Sequence, residues 1–225
     1  AWSIWIQARQ HAWEVGSSWV AKGIGDWLLS AEKEAVQLRQ RAVVYLVPIM
    51  DVDNVERGAG GKNQVPHDHN RDWSDDPVWP EVRAAQQKLR ALQHAAQLCL
   101  FVDLHNPGPR DRQPYFYVPP AELLAAESRR RLQDFLTCVR QEMTPPLALN
   151  PRPLESGPKY DPQHWKRIST NWVSANFPGM VAACLETPWN IPHSTISGYE
   201  QVGHALGRGM ARLLFHQADS SPANP

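Results

Sequence analysis

Three apolar segments of this chain each lead into a histidine or a glutamate. Residues 2–9 run into His11 and Glu14, residues 98–104 end at His105, and residues 180–185 end at Glu186. Such runs of β-branched, aromatic and aliphatic side chains predict buried strands. In open α/β sheets, ligands bind at the edge where the strands end. We therefore expect these polar side chains to form one site.

Segments with helical periodicity separate the predicted strands. Strands are expected at residues 2–9, 41–47, 98–104 and 181–186, and helices at 19–29, 80–97, 121–142 and 197–216. This alternation predicts an α/β fold, a three-layer sandwich with a central mixed, mostly parallel twisted sheet. At 225 residues the chain is long enough for one full core. We expect a single domain at residues 1–217 and a disordered tail at 218–225.

Charge and hydropathy argue against several classes of partner. The formal net charge is zero, so there is no basic surplus to attract nucleic acid. No apolar run is long enough to span a membrane, and the first residues lack a signal-peptide pattern. The odd number of cysteines, Cys99, Cys138 and Cys184, favours free buried thiols in a reducing compartment. The expected location is therefore the cytoplasm.

The histidines and glutamates offer the donor types of a catalytic zinc site. His11 and Glu14 are three residues apart, and His105 ends a separate strand. Two imidazoles and one carboxylate leave the fourth position of zinc open for water, as in catalytic sites. Asp103 lies two residues before His105 and shares its face of the strand, so it is a candidate to orient that ring. The HxxE spacing also occurs without a metal, so the inference depends on all three segments.

Three stretches of the chain resemble one known family. Residues 8–19, which read ARQHAWEVGSSW, are similar to the zinc-binding start of metallocarboxypeptidases of the carboxypeptidase A superfamily. Residues 47–55 stand where that family has a strand and an Asn-Pro-Asp-Gly-like turn, and residues 67–73 are similar to its Asp-Leu-Asn-Arg-Asn-Trp signature. The cytosolic carboxypeptidase branch is the nearest resemblance. It implies a zinc-dependent hydrolase that removes C-terminal residues from peptides or proteins.

The resemblance also implies the roles of the residues that carry the chemistry. His11, Glu14 and His105 would hold one zinc ion per chain. Glu186 would be the general base, which takes a proton from water and passes it to the leaving amine. Asn70 and Arg71 would grip the terminal carboxylate of the substrate, since a guanidinium binds a carboxylate through two parallel hydrogen bonds. Without the other motifs, the segment with Asn70 and Arg71 would be interpreted as a solvated loop and not as a substrate-binding segment.

Two positions depart from the family pattern. The usual oxyanion arginine has no direct counterpart, so Lys62 is the first replacement candidate and Arg57 the second. A lysine supplies the positive charge without the planar fork of arginine. The glycine-rich run at residues 58–62 lacks the spacing of a phosphate-binding loop, and we reject a nucleotide site. For the substrate-contacting tyrosine, Tyr160 is the nearest candidate and His164 the alternative.

Two other classes of function stay open at this stage. A related group in the superfamily, the aspartoacylase-like enzymes, removes acyl groups from amino acids with the same zinc site. A chain with this fold could also be a non-catalytic binding module. Residues 16–19 and 70–73 look closer to the peptidases, and all ligand and base candidates are present. The peptidase therefore ranks first.

The resemblance also predicts an unusual edge of the sheet. The family's catalytic domain has further strands before the zinc-binding strand, and a β-sandwich domain precedes it in the cytosolic branch. This sequence starts almost at that strand, so we expect either a piece of a longer protein or a reduced sheet. An exposed edge would be open to a partner segment or to an oligomer.

Overall fold

The fold is built around one six-stranded sheet. The structure is a computed structural model that describes residues 2–95 and 97–219. Its strands are β1 (Trp2–Ala8), β2 (Ala42–Val47), β3 (Gln97–His105), β4 (Tyr115–Val118), β5 (Leu154–Glu155) and β6 (Val181–Glu186). Their order across the sheet is β2-β1-β3-β6-β4-β5. Among the described strands, only the β4 to β6 pairing is antiparallel, so the predicted mixed, mostly parallel sheet is confirmed.

Helices connect the strands in the described part of the chain. They are α1 (Val15–Leu29), α2 (Lys33–Arg41), α3 (Val52–Arg57), α4 (Pro80–Ala95), α5 (Ala126–Glu142), α6 (Ser169–Asn176) and α7 (Ile196–Asp219). Short 3₁₀ turns lie at His69–Arg71, Ala121–Leu123 and Trp165–Arg167. The alternation of strands and helices agrees with the α/β prediction.

The sheet separates two hydrophobic cores. Alternate residues of a strand point to opposite faces, so Ile4 and Ile6 of β1 pack on one side and Trp5 packs on the other. Side chains of α1, α2, α5 and α7 fill the core on the first side. Side chains of α4 and α6 fill the core on the second side. The molecule therefore has the three layers predicted from the sequence.

Helices α1 and α7 pack with their backbones almost in contact. A Cβ atom on Gly23 would lie 2.3 Å from the main-chain oxygen of Glu200, and one on Gly203 would lie 2.3 Å from that of Val20. Neither position has room for a larger side chain, because both neighbouring atoms belong to the main chain. This close approach fixes α1 against the domain, and α1 starts directly after Glu14.

The start of α1 differs from the prediction. The helix begins at Val15 rather than at residue 19, so Ser17 lies inside its first turn. The Ser17 amide donates to Oδ1 of Asn106 at 2.9 Å, and the Ser17 hydroxyl donates to the main-chain oxygen of Glu14 at 2.7 Å. Asn106, which follows β3, therefore pairs with the amide of Ser17, one of the first-turn amides that have no partner within the helix. The prediction had placed Ser17 in the loop before the helix.

Two other predicted boundaries are also wrong. The helix expected over residues 121–142 is divided, because the 3₁₀ turn at Ala121–Leu123 ends before α5 starts at Ala126. Helix α7 continues to Asp219, so the first two residues of the predicted tail are helical. Residues 220–225 of that tail lie outside the described residues.

Strand β2 lies at one edge of the sheet. It pairs with β1 in parallel, and within the described residues it has a strand partner on one side only. Pairing of that edge with a partner segment or with a second copy stays a prediction.

The three cysteines are free thiols in the structure. Cys99, Cys138 and Cys184 are all buried and unpaired, as predicted. Among the described residues, none of the helices combines the length and the apolar character needed to cross a bilayer.

Candidate metal centre and cleft

The turn after β1 brings two of the predicted metal ligands together. Arg9 has φ +61°, an uncommon backbone conformation for a residue with a side chain. Its Nε donates to the main-chain oxygen of Ala12 at 2.8 Å, which closes the turn. The main-chain amide of Glu14 in turn donates to the carbonyl of His11 at 3.1 Å. The chain therefore reverses at the end of β1 and places both side chains over the edge of the sheet.

His105, at the end of β3, completes a buried group of three donors. One donor atom from each of His11, Glu14 and His105 lies within 4.8 Å of the others. The two carboxylate oxygens of Glu14 each lie 2.7 Å from an Nδ1 atom, one of His11 and one of His105. Two imidazoles and one carboxylate at this separation are the donor set and the spacing that suit zinc.

Carboxylates hold the outer nitrogens of both imidazoles. Nε2 of His11 lies 3.2 Å from Oδ1 of Asp68, and Nε2 of His105 lies 3.1 Å from Oδ2 of Asp103. Each ring therefore presents Nδ1 towards Glu14 while its other side is fixed, as in metal-binding histidines. The sequence had suggested Asp103 for this role, whereas Asp68 was missed because it lies in the loop before residues 69–71.

Asp103 is itself held from two further sides. Its Oδ2 accepts hydrogen bonds from Nε2 of Gln10 and from the hydroxyl of Ser169, both at 2.5 Å. The indole of Trp73 donates to Oε1 of Gln10 at 2.8 Å, which fixes the amide in turn. These buried polar groups connect β1, β3 and α6 beneath the donor group and restrict its movement.

The charges around the donors favour a bound cation. Burial alone would raise the pKa of Glu14, but His105 and His11 lower it well below its ordinary value. Burial would also raise the pKa of Asp68, but the hydrogen bond and the charge of His11 outweigh burial and lower this pKa to about 2. Three buried carboxylates, Glu14, Asp68 and Asp103, thus surround two imidazoles. Since buried charges are normally paired or bind metals, this donor set fits zinc.

Glu186 lies beside the donor group at the end of β6. It is the register partner of His105 on the neighbouring parallel strand. Its Oε2 is buried and accepts no hydrogen bond from any described residue. The pKa of Glu186 is raised to about 7, because burial, together with the negative charge of Glu14, outweighs the opposing charges of His105, His11 and Lys62. A carboxyl group with such a pKa can both accept and release a proton near neutral pH.

A cleft of about 250 Å³ opens above these residues. The predicted site residues that line it are His11, Glu14, Lys62, Asn70, His105, Tyr160 and Glu186. Arg71 is not among the lining residues; it lies beneath Tyr160, with its guanidinium 5.7 Å from that ring. The structure therefore brings together residues that are up to 175 positions apart in the chain, from His11 to Glu186.

Of the two oxyanion candidates, only Lys62 reaches the cleft. Its Nζ lies 3.2 Å from Nε2 of His11. Arg57 ends α3, is exposed, and does not line the cleft. Gly61 permits this approach of Lys62, because it has φ +80° and a Cβ there would lie 2.7 Å from the main-chain nitrogen of Ala12. The geometry thus favours Lys62 over Arg57.

Asn70 and Arg71 occupy different depths of the site. Asn70 is buried, with Nδ2 3.5 Å from Nε2 of His105, and its Oδ1 accepts from the main-chain amide of Ser169 at 3.0 Å. Arg71 donates from Nε to Oδ2 of Asp161 at 2.7 Å. The aspartate partner was missed in the sequence, because it lies 90 residues from Arg71 and no local pattern connects the two.

Three tyrosines, Tyr115, Tyr117 and Tyr160, line the cleft. Tyr160 is 44% exposed and its ring packs 4.8 Å from that of Tyr117. Tyr117 and Tyr115 come from β4, a strand that was not predicted; their alternation in the segment YFYV was the available signal. His164, the alternative to Tyr160, does not line the cleft. The structure therefore favours Tyr160 and adds Tyr115 and Tyr117.

Comparison with known proteins shows which family the first half of the chain resembles. Residues 1–106 match the Peptidase_M14 family, zinc carboxypeptidase. That range contains His11, Glu14, Lys62, Asn70, Arg71 and His105. The predicted resemblance to zinc metallocarboxypeptidases is confirmed.

The curated relatives are cytosolic carboxypeptidases. Cytosolic carboxypeptidase 3 of Bos taurus is 30% identical over 103 residues, which cover 45% of this chain and 10% of the relative. Cytosolic carboxypeptidase 6 of Caenorhabditis elegans is 32% identical over 106 residues, which cover 45% of this chain and 23% of the relative. This chain therefore corresponds to a small part of these relatives.

Solved structures match nearly the whole chain. A putative carboxypeptidase from Burkholderia mallei superposes with a TM-score of 0.77 at 21% identity, over 95% of this chain and 57% of that chain. A metallo-carboxypeptidase from Pseudomonas aeruginosa gives a TM-score of 0.74 at 22% identity, with coverage of 95% and 57%. The carboxypeptidase fold thus extends through the second half of this chain, which contains Glu186.

Proposed function

We propose that this chain carries the catalytic site of a zinc-dependent hydrolase that removes the C-terminal residue from a peptide. The observation that carries the proposal is the buried group of His11, Glu14 and His105 with the buried carboxylate of Glu186 beside it. The match of residues 1–106 to zinc carboxypeptidases supports the same class. We expect one zinc ion per chain and a cytoplasmic location.

His11, Glu14 and His105 would hold the metal ion. When bound there, zinc supplies a Lewis acid that polarises the scissile carbonyl and lowers the pKa of water. Asp68 and Asp103 hold the Nε2 side of each ring, so that Nδ1 of each imidazole faces Glu14 and would be free to bind the metal. The protein thus presents a fixed set of donors with room for water and substrate.

Glu186 would move the proton. Its buried, unpartnered Oε2 can accept the proton of the attacking water, and the carboxyl group then gives it to the amine that leaves. A pKa raised to about 7 by burial suits both halves of this task. The two steps together cleave one amide bond and return the carboxylate to its starting form.

Other side chains of the site would bind the scissile carbonyl oxygen, the terminal carboxylate and the last residue of the substrate. Lys62 lies beside His11 and can donate to the oxygen that becomes negative as the carbonyl is attacked. Asn70 and Arg71 would bind the terminal carboxylate of the peptide, and Tyr160 would pack against the residue that is released. These contacts would select a substrate with a free C-terminus.

Release of single amino acids tests this function. The zinc-loaded chain is incubated with acetylated tripeptides that differ in their last residue, and with the C-terminal amide of each; products are identified by mass spectrometry. We expect release of the last residue from free acids and little or none from amides. Hydrolysis of N-acyl amino acids without peptide cleavage would assign the aspartoacylase-like reaction. No hydrolysis of either class by zinc-loaded, folded protein would support the binding module.

A further inference from the structure

The guanidinium of Arg71 is held in place from three sides. Nε donates to Oδ2 of Asp161 at 2.7 Å, and Nη1 donates to the main-chain oxygen of Asn70 at 3.2 Å. The ring of Tyr160 lies 5.7 Å from the guanidinium carbon. The side chain of Arg71 is 14% exposed and that of Asp161 is 18% exposed, so this pair is largely shielded from water. Arg71 therefore has one orientation set by its own protein.

Asp161 is itself anchored and charged. Its Oδ1 accepts from the main-chain amide of His164 at 2.9 Å, and its main-chain oxygen accepts from the amide of Trp165 at 3.1 Å. Burial would raise the pKa of Asp161, but the His164 amide and Arg71 lower it below its ordinary value. The carboxylate is thus fixed by the turn at residues 161–165 and does not need Arg71 to hold its position.

The contact between Asp161 and Nε of Arg71 limits how a substrate carboxylate can bind the guanidinium. Arginine can bind a carboxylate with two parallel bonds either through Nη1 and Nη2 or through Nε and one Nη. Because Asp161 occupies Nε, the second of these modes is closed to a substrate. A substrate carboxylate would then bind through Nη1 and Nη2. This mode of binding is favoured when the plane of the guanidinium is already oriented towards the carboxylate before the substrate binds.

We propose that Asp161 is a positioning residue that orients Arg71 for the terminal carboxylate of the substrate. The inference rests on the proposed function, in which Arg71 binds that carboxylate. It assigns to the loop at residues 157–164 a second task besides presenting Tyr160. The loop fixes the orientation of the residue that reads the end of the peptide, and so contributes to selection of a free C-terminus.

If Asp161 competed with the substrate for Arg71, its removal would have the opposite effect on substrate binding. A negative charge beside Arg71 also repels an incoming carboxylate, and Asp161 would then be an internal competitor of the substrate. Removal of a positioning residue weakens binding of a free acid, whereas removal of a competitor strengthens it. The hydrogen bond from the His164 amide to Oδ1 of Asp161 favours the positioning role, because it holds the carboxylate beside Arg71, whereas a competitor has to leave Arg71 when substrate binds.

Binding measured without turnover tests the proposal. The Glu186→Gln chain, loaded with zinc, is titrated by calorimetry with acetylated tripeptides as free acids and as C-terminal amides. The quantity of interest is the ratio of the two dissociation constants, amide over acid, for the tightest-binding acid. Asp161→Ala and Asp161→Asn are added in this background. Asp134→Ala is the matched control, since Asp134 is exposed on α5 and does not line the cleft.

We expect the ratio to fall about fivefold or more in Asp161→Ala, and less in Asp161→Asn, which can still accept from Arg71. The control should leave it unchanged. A general loss of structure would weaken acid and amide alike and would leave the ratio unaltered. An unchanged or increased ratio in Asp161 variants that bind the amide as tightly as the parent does overturns the proposal, and so does a parent without preference for the acid. The proposed function is tested separately, by whether the zinc-loaded wild-type chain releases the last residue of the same tripeptides.

Discussion

His105 and Glu186 are paired in register at the ends of two neighbouring parallel strands. The sheet therefore sets the separation between a candidate metal ligand and the candidate base, although they are 81 positions apart in the sequence. Both residues end strands that bury apolar side chains in the two cores, among them Leu100 and Phe101 of β3 and Leu185 of β6. Packing of the sheet thus positions this part of the site, and the loops supply the remaining contacts.

Replacement of the candidate base should separate catalysis from metal binding. Glu186→Gln keeps the shape of the side chain but cannot accept the proton of water. We expect turnover to fall on the order of 100-fold or more, while zinc content and the melting temperature stay close to wild type. The measurements are the rate of amino acid release and elemental analysis of the same sample. Turnover equal to wild type would remove Glu186 from the mechanism.

The contact between α1 and α7 should be sensitive to one methyl group. Gly23→Ala places a Cβ against the main chain of Glu200, so the helices have to separate. We expect a loss of about 2 kcal/mol in the free energy of unfolding, or a fall in melting temperature of roughly 4–8 °C. Gly25→Ala in the same helix is the matched control, because its Cβ would make only an ordinary contact of 3.5 Å with Leu46.

The control variant should be neutral or stabilised by up to about 1 kcal/mol, since alanine favours helix more than glycine does. Equal effects of Gly23→Ala and Gly25→Ala on thermal unfolding would contradict the close packing described above.

The ion pair between α2 and α7 should give a small pH dependence of stability. Arg208 donates to both oxygens of Glu32 at 2.9 and 2.8 Å, and this contact lowers the pKa of Glu32 below its ordinary value of 4.5. A depressed pKa in the folded state adds stability above about pH 4.5 that is lost as the pH falls through the folded pKa. Both side chains are more than a third exposed, so water screens the pair.

We expect Glu32→Gln to lower stability by about half a kcal/mol at pH 7 and low salt. The difference from wild type should shrink at pH 3 and in high salt. Urea unfolding at each pH measures it, and a difference that grows on acidification would show that the sign is wrong.

The sequence predicted the parts of the fold that have strong local patterns. Strands β1, β3 and β6 are nearly continuous apolar runs, so their positions and the polar residues at their ends could be identified. Strand β5 has only two residues, both exposed, and carries no such pattern. Strand β4 has four residues between proline-containing segments, and Tyr115 and Tyr117 were missed with it.

Contacts between distant segments could not be read from local patterns. Asp161 holds Arg71, and Asn106 holds the amide of Ser17; each pair joins segments about ninety residues apart. Residue type and strand position suggested Asp103 as a partner of His105, because two residues in a strand share a face. No comparable rule applies to Asp68, which reaches His11 from a loop.

Metal content is the most direct test of the central claim. The purified chain is refolded or dialysed with zinc, freed of excess metal and examined by elemental analysis, together with His105→Ala. His193→Ala is the matched control, because His193 is exposed and does not line the cleft. We predict about one zinc per chain in wild type and control, and a large loss in His105→Ala whose fold is verified by circular dichroism. No zinc in folded wild-type protein, or equal zinc in His105→Ala, would contradict the proposed metal centre.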